Sequence, residues 1–393
     1  MNPPQSIDTT VRSTLTRRQL LWLAAGSLTS TKLAVALPGH DRPLVGAIRW
    51  DAWYAPGSDV TSAVERTLSP QPYRWRLPFF ARQDAAGNVH LPQITQGLMD
   101  LEIEQAAYAG LDYWAFVAYP SDNAMSAPLQ RYLASRRRDR IGFCMFTSLD
   151  NWGTANKPTA LTEEHISLMQ NKAYVRVRNS RPLYYLGFIT EQIAMERWGG
   201  LDGLRTGIHE FRDRAIARGA GNPFIVLNIL PRSATSLAVR LGGDAVGAYA
   251  IADGRVTGNY AHLVHVTEQG WTMLATSGLP VVPTVMAGWD RRPRVQNPVP
   301  WEKTQRAGVG LEYYFTAPDA KQLAAHLQQA LAWIKQQPME RQAPAVLIYA
   351  WNENDEGGWL VPTAPCDEGR LEALHRALRA RATDPMPGCA WSD

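Results

Sequence analysis

The sequence predicts an α/β fold, a single (β/α)8 TIM-type barrel with enlarged βα loops. Eight short apolar, β-branched or aromatic runs alternate with longer stretches of helical period. Those runs are apolar throughout, as strands covered on both faces must be, which argues for a parallel sheet. No glycine-rich phosphate turn follows the first run, so the rhythm favours a closed barrel over an open doubly wound sheet. At 393 residues, 45% apolar and 19% charged, the chain suits one such domain.

The first 36 residues read as something other than barrel. Arg17 and Arg18 precede the short apolar run Leu20 to Leu28, and small residues follow at Ala34 to Ala36. That layout is an export signal of the twin-arginine type, so residues 1–36 are expected to be a signal and 37–393 the barrel domain. The expected location is periplasmic or secreted. The segment carries Arg12, Arg17, Arg18 and Lys32 against Asp8, which leaves the rest with 36 basic and 35 acidic residues. A balance so close to neutral gives no reason to expect a nucleic-acid partner, and no run is long enough to span a membrane. The densest basic run, Arg136 to Arg140, is expected to close a helix, where cations suit the dipole. Of the three cysteines, Cys144 reads as a core residue, whereas Cys366 and Cys389 are able to pair in an oxidising compartment.

The expected strands are Leu44 to Trp50, Leu111 to Tyr119, Ile141 to Ser148, Pro182 to Phe188, Pro223 to Leu230, Ala245 to Ile251, Pro280 to Trp289 and Ala345 to Trp351. Helical stretches separate them, among them "APDAKQLAAHLQQALAWIKQQ", which starts on Pro318 and Asp319. The 43 residues from Asp51 to Gln93 are too many for an ordinary βα loop. Their Tyr73, Trp75, Arg76, Phe79 and Phe80 either floor a binding subsite or serve to pack the loop and plug the barrel.

Barrels of this kind keep their chemistry where strands end and βα loops begin. Those positions hold Trp50, Asp51 and Trp53 after the first strand, Tyr119 after the second, and Asp150 and Trp152 after the third. Asn228 follows on the fifth, Tyr249 on the sixth, and Trp289, Asp290, Arg291, Arg292 and Arg294 on the seventh. The eighth delivers Trp351, Asn352, Glu353, Asp355 and Glu356. Of fourteen tryptophans, Trp114, Trp198, Trp271 and Trp333 read as core. Trp50, Trp53, Trp152, Trp289 and Trp351 fit either core or a sugar-stacking rim. Glu353 and Glu356, three apart in a tight turn, suit the paired carboxyls of a sugar-cleaving enzyme, although the bare pattern also fits a solvated acidic turn. Glycine-framed serine, zinc-protease, phosphate-loop and paired-cysteine motifs are missing from the sequence. His262 and His265 lack a third ligand, so neither metal nor cofactor is expected.

"AWNENDEGGWLVP" resembles the "WNEW-x-EG" signature of the glycoside hydrolase family 99-like and WbsX-like barrels, and "GWDRRPR" resembles their "GWDNTPR" segment one strand earlier. "GAIRWDAWY" is a looser match to their first strand. The resemblance implies a retaining hydrolase of α-mannosides acting on an oligo- or polysaccharide. Glu353 would act as base on the sugar's 2-hydroxyl and Glu356 as acid/base, with Trp289, Asp290 and Arg294 lining the sugar subsites. Asn354 departs from the family's aromatic, and Arg291 and Arg292 replace its Asn and Thr. The two added arginines raise the expectation of an acidic glycan, since a guanidinium matches carboxylates. The competing readings are a surface-polysaccharide glycosyltransferase and a glycan-binding barrel without activity. Against the first stand the outward signal and the lack of an Asp-x-Asp motif.

Overall fold

Eight parallel strands form the centre of the molecule: β1 (Leu44–Arg49), β2 (Tyr113–Val117), β3 (Gly142–Ser148), β4 (Arg181–Ile189), β5 (Phe224–Ile229), β6 (Ala245–Gly247), β7 (Thr284–Met286) and β8 (Ala345–Tyr349). The computed structural model describes residues 42–155, 157–378 and 385–391. The expected signal, residues 1–36, lies outside them. Each strand pairs with its chain neighbour and β1 also pairs with β8. An isolated parallel bridge between Val246 and Val281 joins β6 to the approach of β7, so the sheet closes into the expected (β/α)8 barrel. The helices around it are α1 (Asp59–Leu68), α2 (Gln96–Tyr108), α3 (Ala127–Ala134), α4 (Ala160–Leu168), α5 (Glu191–Trp198), α6 (Leu201–Ala217), α7 (Ala234–Leu241), α8 (Tyr260–Ala275), α9 (Arg292–Gln296), α10 (Ala320–Gln336) and α11 (Gly369–Leu378). Among the described residues, no helix is long and apolar enough to cross a membrane.

Large and small side chains interdigitate inside the barrel. Tyr113 fills the space left by Gly46, where a Cβ would sit 2.3 Å from its ring, and Phe146 covers Gly187 at the same distance. The Tyr113 hydroxyl pairs with that of Tyr185 at 2.7 Å and donates to the Val346 carbonyl at 3.0 Å. Each such fully buried ring contributes roughly 1.5–3 kcal/mol. α10 starts as expected, with Asp319 and Gln322 forming a reciprocal cap.

Three expectations need correction. β7 is much shorter than Pro280 to Trp289, because Pro280 and Pro283 have no N–H for a ladder. β6 stops at Gly247, after which a side chain takes over: the Thr284 hydroxyl donates to the Ala248 carbonyl. The basic run at Arg136 to Arg140 does not close a helix, since α3 ends at Ala134. Arg137 and Arg140 instead bracket Glu104 of α2, at 2.8 and 3.3 Å.

The long segment after β1 folds into α1, a 3-10 turn (Gln71–Arg76) and a small hairpin. It packs on the β7 and β8 loops. Tyr73 donates to Gln296, Arg76 pairs with Asp290 at 2.6 Å, and Phe79 and Phe80 are buried. Trp75 alone of the five aromatic and basic candidates stays half exposed, edge-on to Trp359. Cys366 and Cys389 form a disulfide, and Cys144 is buried in β3.

Candidate active site

The turn after β8 is built to bring two glutamates together. Trp351 still donates to the Ile48 carbonyl at 2.7 Å, and Asn352–Glu353 then pair antiparallel with Gly358–Trp359. A 3-10 turn (Asn354–Glu356) reverses the chain between them, ending on Gly357 at φ 91°. Only glycine fits there, because a Cβ would lie 2.4 Å from the Asp290 nitrogen. That close approach lets Asp290 N–H donate to the Glu356 carbonyl at 2.7 Å, which locks the β7 and β8 loops together. Asn354 secures the turn from below by donating to the Arg76 carbonyl at 2.7 Å.

Glu353 and Glu356 are both buried and both touch Arg294 of α9. Glu353 accepts from the Tyr249 hydroxyl at 2.5 Å and from Arg294 at 3.2 Å. Glu356 accepts from Arg294 at 2.5 Å, from Arg291 at 3.0 Å and from the Tyr349 hydroxyl. Asp355 completes the clasp by binding Arg294 through both oxygens, at 2.7 and 3.0 Å. Glu302 pairs with Arg291 and Arg294 from the outside.

This unequal sharing splits the two acids. Burial and the neighbouring Glu356 charge push Glu353 up to about 8 against the weaker pull of Arg294. Burial also acts on Glu356, but Arg294, Arg291 and the Tyr349 hydroxyl outweigh it and hold that carboxyl below its ordinary range. At neutral pH the pair therefore carries one proton, and it rests on Glu353. Arg294 is itself held well charged, since its three carboxylates overcome the penalty of burial.

Aromatic rings surround the pair. Tyr249 and Tyr349 lie 5.5 Å apart, and Trp289 lies 5.6 Å from Tyr349. Trp50 donates to the Tyr119 hydroxyl at 2.8 Å, sits under Arg294 and meets the exposed Trp301 at 5.5 Å.

Of the residues expected at the rim, Trp50, Tyr119, Tyr249, Trp289, Arg291, Arg294, Glu353 and Glu356 thus converge. Several others are scaffold. Asp51 binds Arg49 and Asn352, each at 2.8 Å, and Trp53 donates to the Asn352 carbonyl. Trp351 is fully buried and donates to Glu102, while both oxygens of Asp355 are held by Arg294. Asp290 is occupied by Arg76 and Arg292, and the Arg292 guanidinium also stacks on Tyr314 at 3.5 Å. The acidic-glycan expectation loses its basis here, because Arg291 and Arg292 are already neutralised by Glu302, Glu356 and Asp290.

Two expected residues lie elsewhere. Asp150 is exposed and faces Arg197 at 3.6 Å. Trp152 is buried in the helix layer, donating to the Tyr184 hydroxyl and packing on Trp198. Asn228 points into the barrel beside Gly247, buried, with no hydrogen-bond partner for either amide atom among the described residues. Tyr349, Trp301 and Glu302 escaped the sequence reading. Tyr349 had a signal, as the last residue of a barrel strand. Trp301 and Glu302 had none, since a loop of no regular period brings them back. Cys366, Glu368 and Cys389 gather closely, but both sulfurs are in the disulfide. His262 and His265 lie along α8, where His265 meets the Gln269 amide at 3.0 Å.

No family model and no curated protein matches the sequence. The fold, however, is shared. Two solved structures of the GH99 endo-alpha-mannosidase from Bacteroides thetaiotaomicron, one in complex with bis-tris-propane, superpose with a TM-score of 0.50 at 13% and 12% identity. The match covers 87% and 86% of this chain and 99% and 98% of theirs. At that identity the likeness is one of architecture: the chain has a family 99-like (β/α)8 barrel, a fold it shares with glycoside hydrolases.

Proposed function

We propose that this protein is a glycoside hydrolase that cleaves α-linked bonds of an oligo- or polysaccharide with retention, through Glu353 and Glu356. The observation that carries the reading is the pair itself. Two buried carboxyls on one turn at the C-terminal end of the barrel share a guanidinium, and each accepts from a tyrosine hydroxyl. Their environments push the two acids apart, as an acid and a base require. The sugar suggested by the shared fold is an α-mannoside, whose 2-hydroxyl stands opposite the leaving group.

The chemistry follows from that arrangement. Ionised Glu353 takes the proton of the 2-hydroxyl, whose oxygen attacks the anomeric carbon and closes a 1,2-anhydro ring. Glu356 gives its proton to the departing glycosidic oxygen. It then takes a proton from water, whose oxygen reopens the ring at the anomeric carbon, and Glu353 returns its proton to the 2-oxygen. Two inversions restore the configuration without a sugar bonded to the protein.

The resting proton lies on the other acid. For this sequence of steps it must reach Glu356, and Arg291 is the partner best placed to release it, being partly exposed on the outer side. The same observation favours a second reading with roles exchanged, in which Glu353 is the acid. An α-glycoside of an acidic phenol separates the two, because a good leaving group needs no proton. The Gln variant of whichever residue is the acid keeps most of its rate on that substrate, and the variant of the base does not. No cleavage of any α-glycoside by the wild-type protein would remove the hydrolase reading and leave a glycan-binding barrel.

We place the mature protein outside the cytoplasm. Arg17 and Arg18 ahead of Leu20 to Leu28, together with the Cys366–Cys389 disulfide, support that location. Fractionation of cells carrying the wild-type chain and an R17K/R18K variant tests it: only the former should reach the periplasm.

A further inference from the structure

The end of β4 carries a feature the two glutamates do not explain. β4 and β5 run in register as far as Leu186 and Leu227 and resume at Ile189 and Ile229, so Gly187 and Phe188 together face Asn228 alone. The extra residue is Phe188, at φ 56°. A bulky side chain in that left-handed region is a backbone outlier, and bulges at barrel rims re-aim side chains. Here the ring is turned out to 45% exposure, yet it stays edge-on to Phe146 at 5.9 Å and 5.1 Å from the Tyr249 ring. Tyr249 is the residue whose hydroxyl holds Glu353.

The geometry points to Phe188 as a sugar-stacking platform, one wall of the subsite next to Glu353. This rests on the hydrolase reading above. A strained backbone that exposes an apolar ring costs stability, so its presence beside the acid pair is a device for a ligand. The ring's flat face suits the C–H face of a neutral pyranose. Phe146 and Tyr249 fix it from behind, so little motion is lost when a sugar lands on it. Trp50, just after β1, and Trp301 contact each other at 5.5 Å and both lie beside Arg294, so they offer further rings for a saccharide that rests on Phe188.

The test uses Glu353→Gln as a binding-competent, inactive background and a panel of α-linked manno-, gluco- and galacto-tetrasaccharides in calorimetry. Adding Phe188→Gly should weaken binding of the preferred tetrasaccharide about tenfold. Phe188→Trp should restore it. Glycine accepts the left-handed backbone without penalty, so the same Phe188→Gly change should raise Tm by about 2 °C. Binding within twofold of the parent for Phe188→Gly would overturn the platform and leave the hydrolase reading intact. A lowered Tm with unchanged affinity would make Phe188 a packing residue. Failure of the parent and the wild type to bind any member of the panel would overturn both readings together.

Discussion

Two buried arginines at the top of the barrel, Arg49 and Arg294, are each clasped by carboxylates, and the clusters serve different ends. Arg49 pairs with Asp51 and Glu102 at 2.8 Å and lies 4.4 Å from the Trp114 ring centre. Asn352 and the Trp351 indole bind the remaining faces of those acids. Everything in that cluster points inward. Arg294 instead holds Glu353, Asp355 and Glu356, with Glu302 further out; tyrosine hydroxyls bind the two glutamates, and Trp50 and Trp301 lie beside its guanidinium. Both arrangements raise one acid, Asp51 to about 6 and Glu353 to about 8, chiefly through burial. The difference lies in the surroundings. The Arg49 cluster, fully buried, bolts β1, α2 and β8 together, whereas around Arg294 the partly exposed Arg291 and Glu302 border the acids and leave a proton to be moved.

The sharpest way to test that contrast is to change the acids of each cluster. Glu353→Gln and Glu356→Gln should each lower kcat/KM about ten-thousandfold. Their stabilities should diverge: Gln at 353 needs no proton uptake on folding, which Glu353 requires at neutral pH, so Tm should rise there and the gain should vanish near pH 4.5. Gln at 356 abandons two arginines and should lower stability by about 1–3 kcal/mol. In the other cluster, Arg49→Met strands two buried acids and should cost about 3–5 kcal/mol in urea denaturation. Adding Asp51→Asn and Glu102→Gln to it should recover much of that loss, which would show a bolt and not a reaction centre.

Smaller effects come from pH. Glu353 binds its proton more tightly when folded, so its stabilising contribution is full below its unfolded value of 4.5 and is lost as pH rises through about 8. The slope in that window is at most about 1.4 kcal/mol per pH unit, and Glu353→Gln should flatten it. The buried His165 and His326 act with the opposite sign. Burial depresses them to about 3 and about 4, so the folded protein resists protonation that the unfolded chain accepts near 6.5. Stability should therefore fall as pH drops below about 6.5. His326→Leu should remove part of that acid sensitivity, measured as Tm against pH.

The two clusters also show what the sequence discloses. Strands β1 to β5 and β8 were legible because both their faces are apolar, and β7 misled because Pro280 and Pro283 sit inside an apolar run. Glu353 and Glu356 stood out through a family motif on one turn. Asp51, Asn352 and Trp351 looked like rim residues for the same reason as Tyr249 and Trp289: all are polar or aromatic at a strand end. Which way each one faces depends on partners far along the chain, as with Asp51 and Asn352, 301 positions apart. Phe188 carried no mark at all, because a bulge is a property of the pairing between two strands.

A single guanidinium touches Glu353, Asp355 and Glu356, so no substitution among the four is a private event. Effects at these positions should be strongly epistatic, with the second replacement costing far less than the first. Directed evolution that varies one acid at a time would meet steep losses on natural glycosides here, and productive routes have to change the arginine and its acids in the same step.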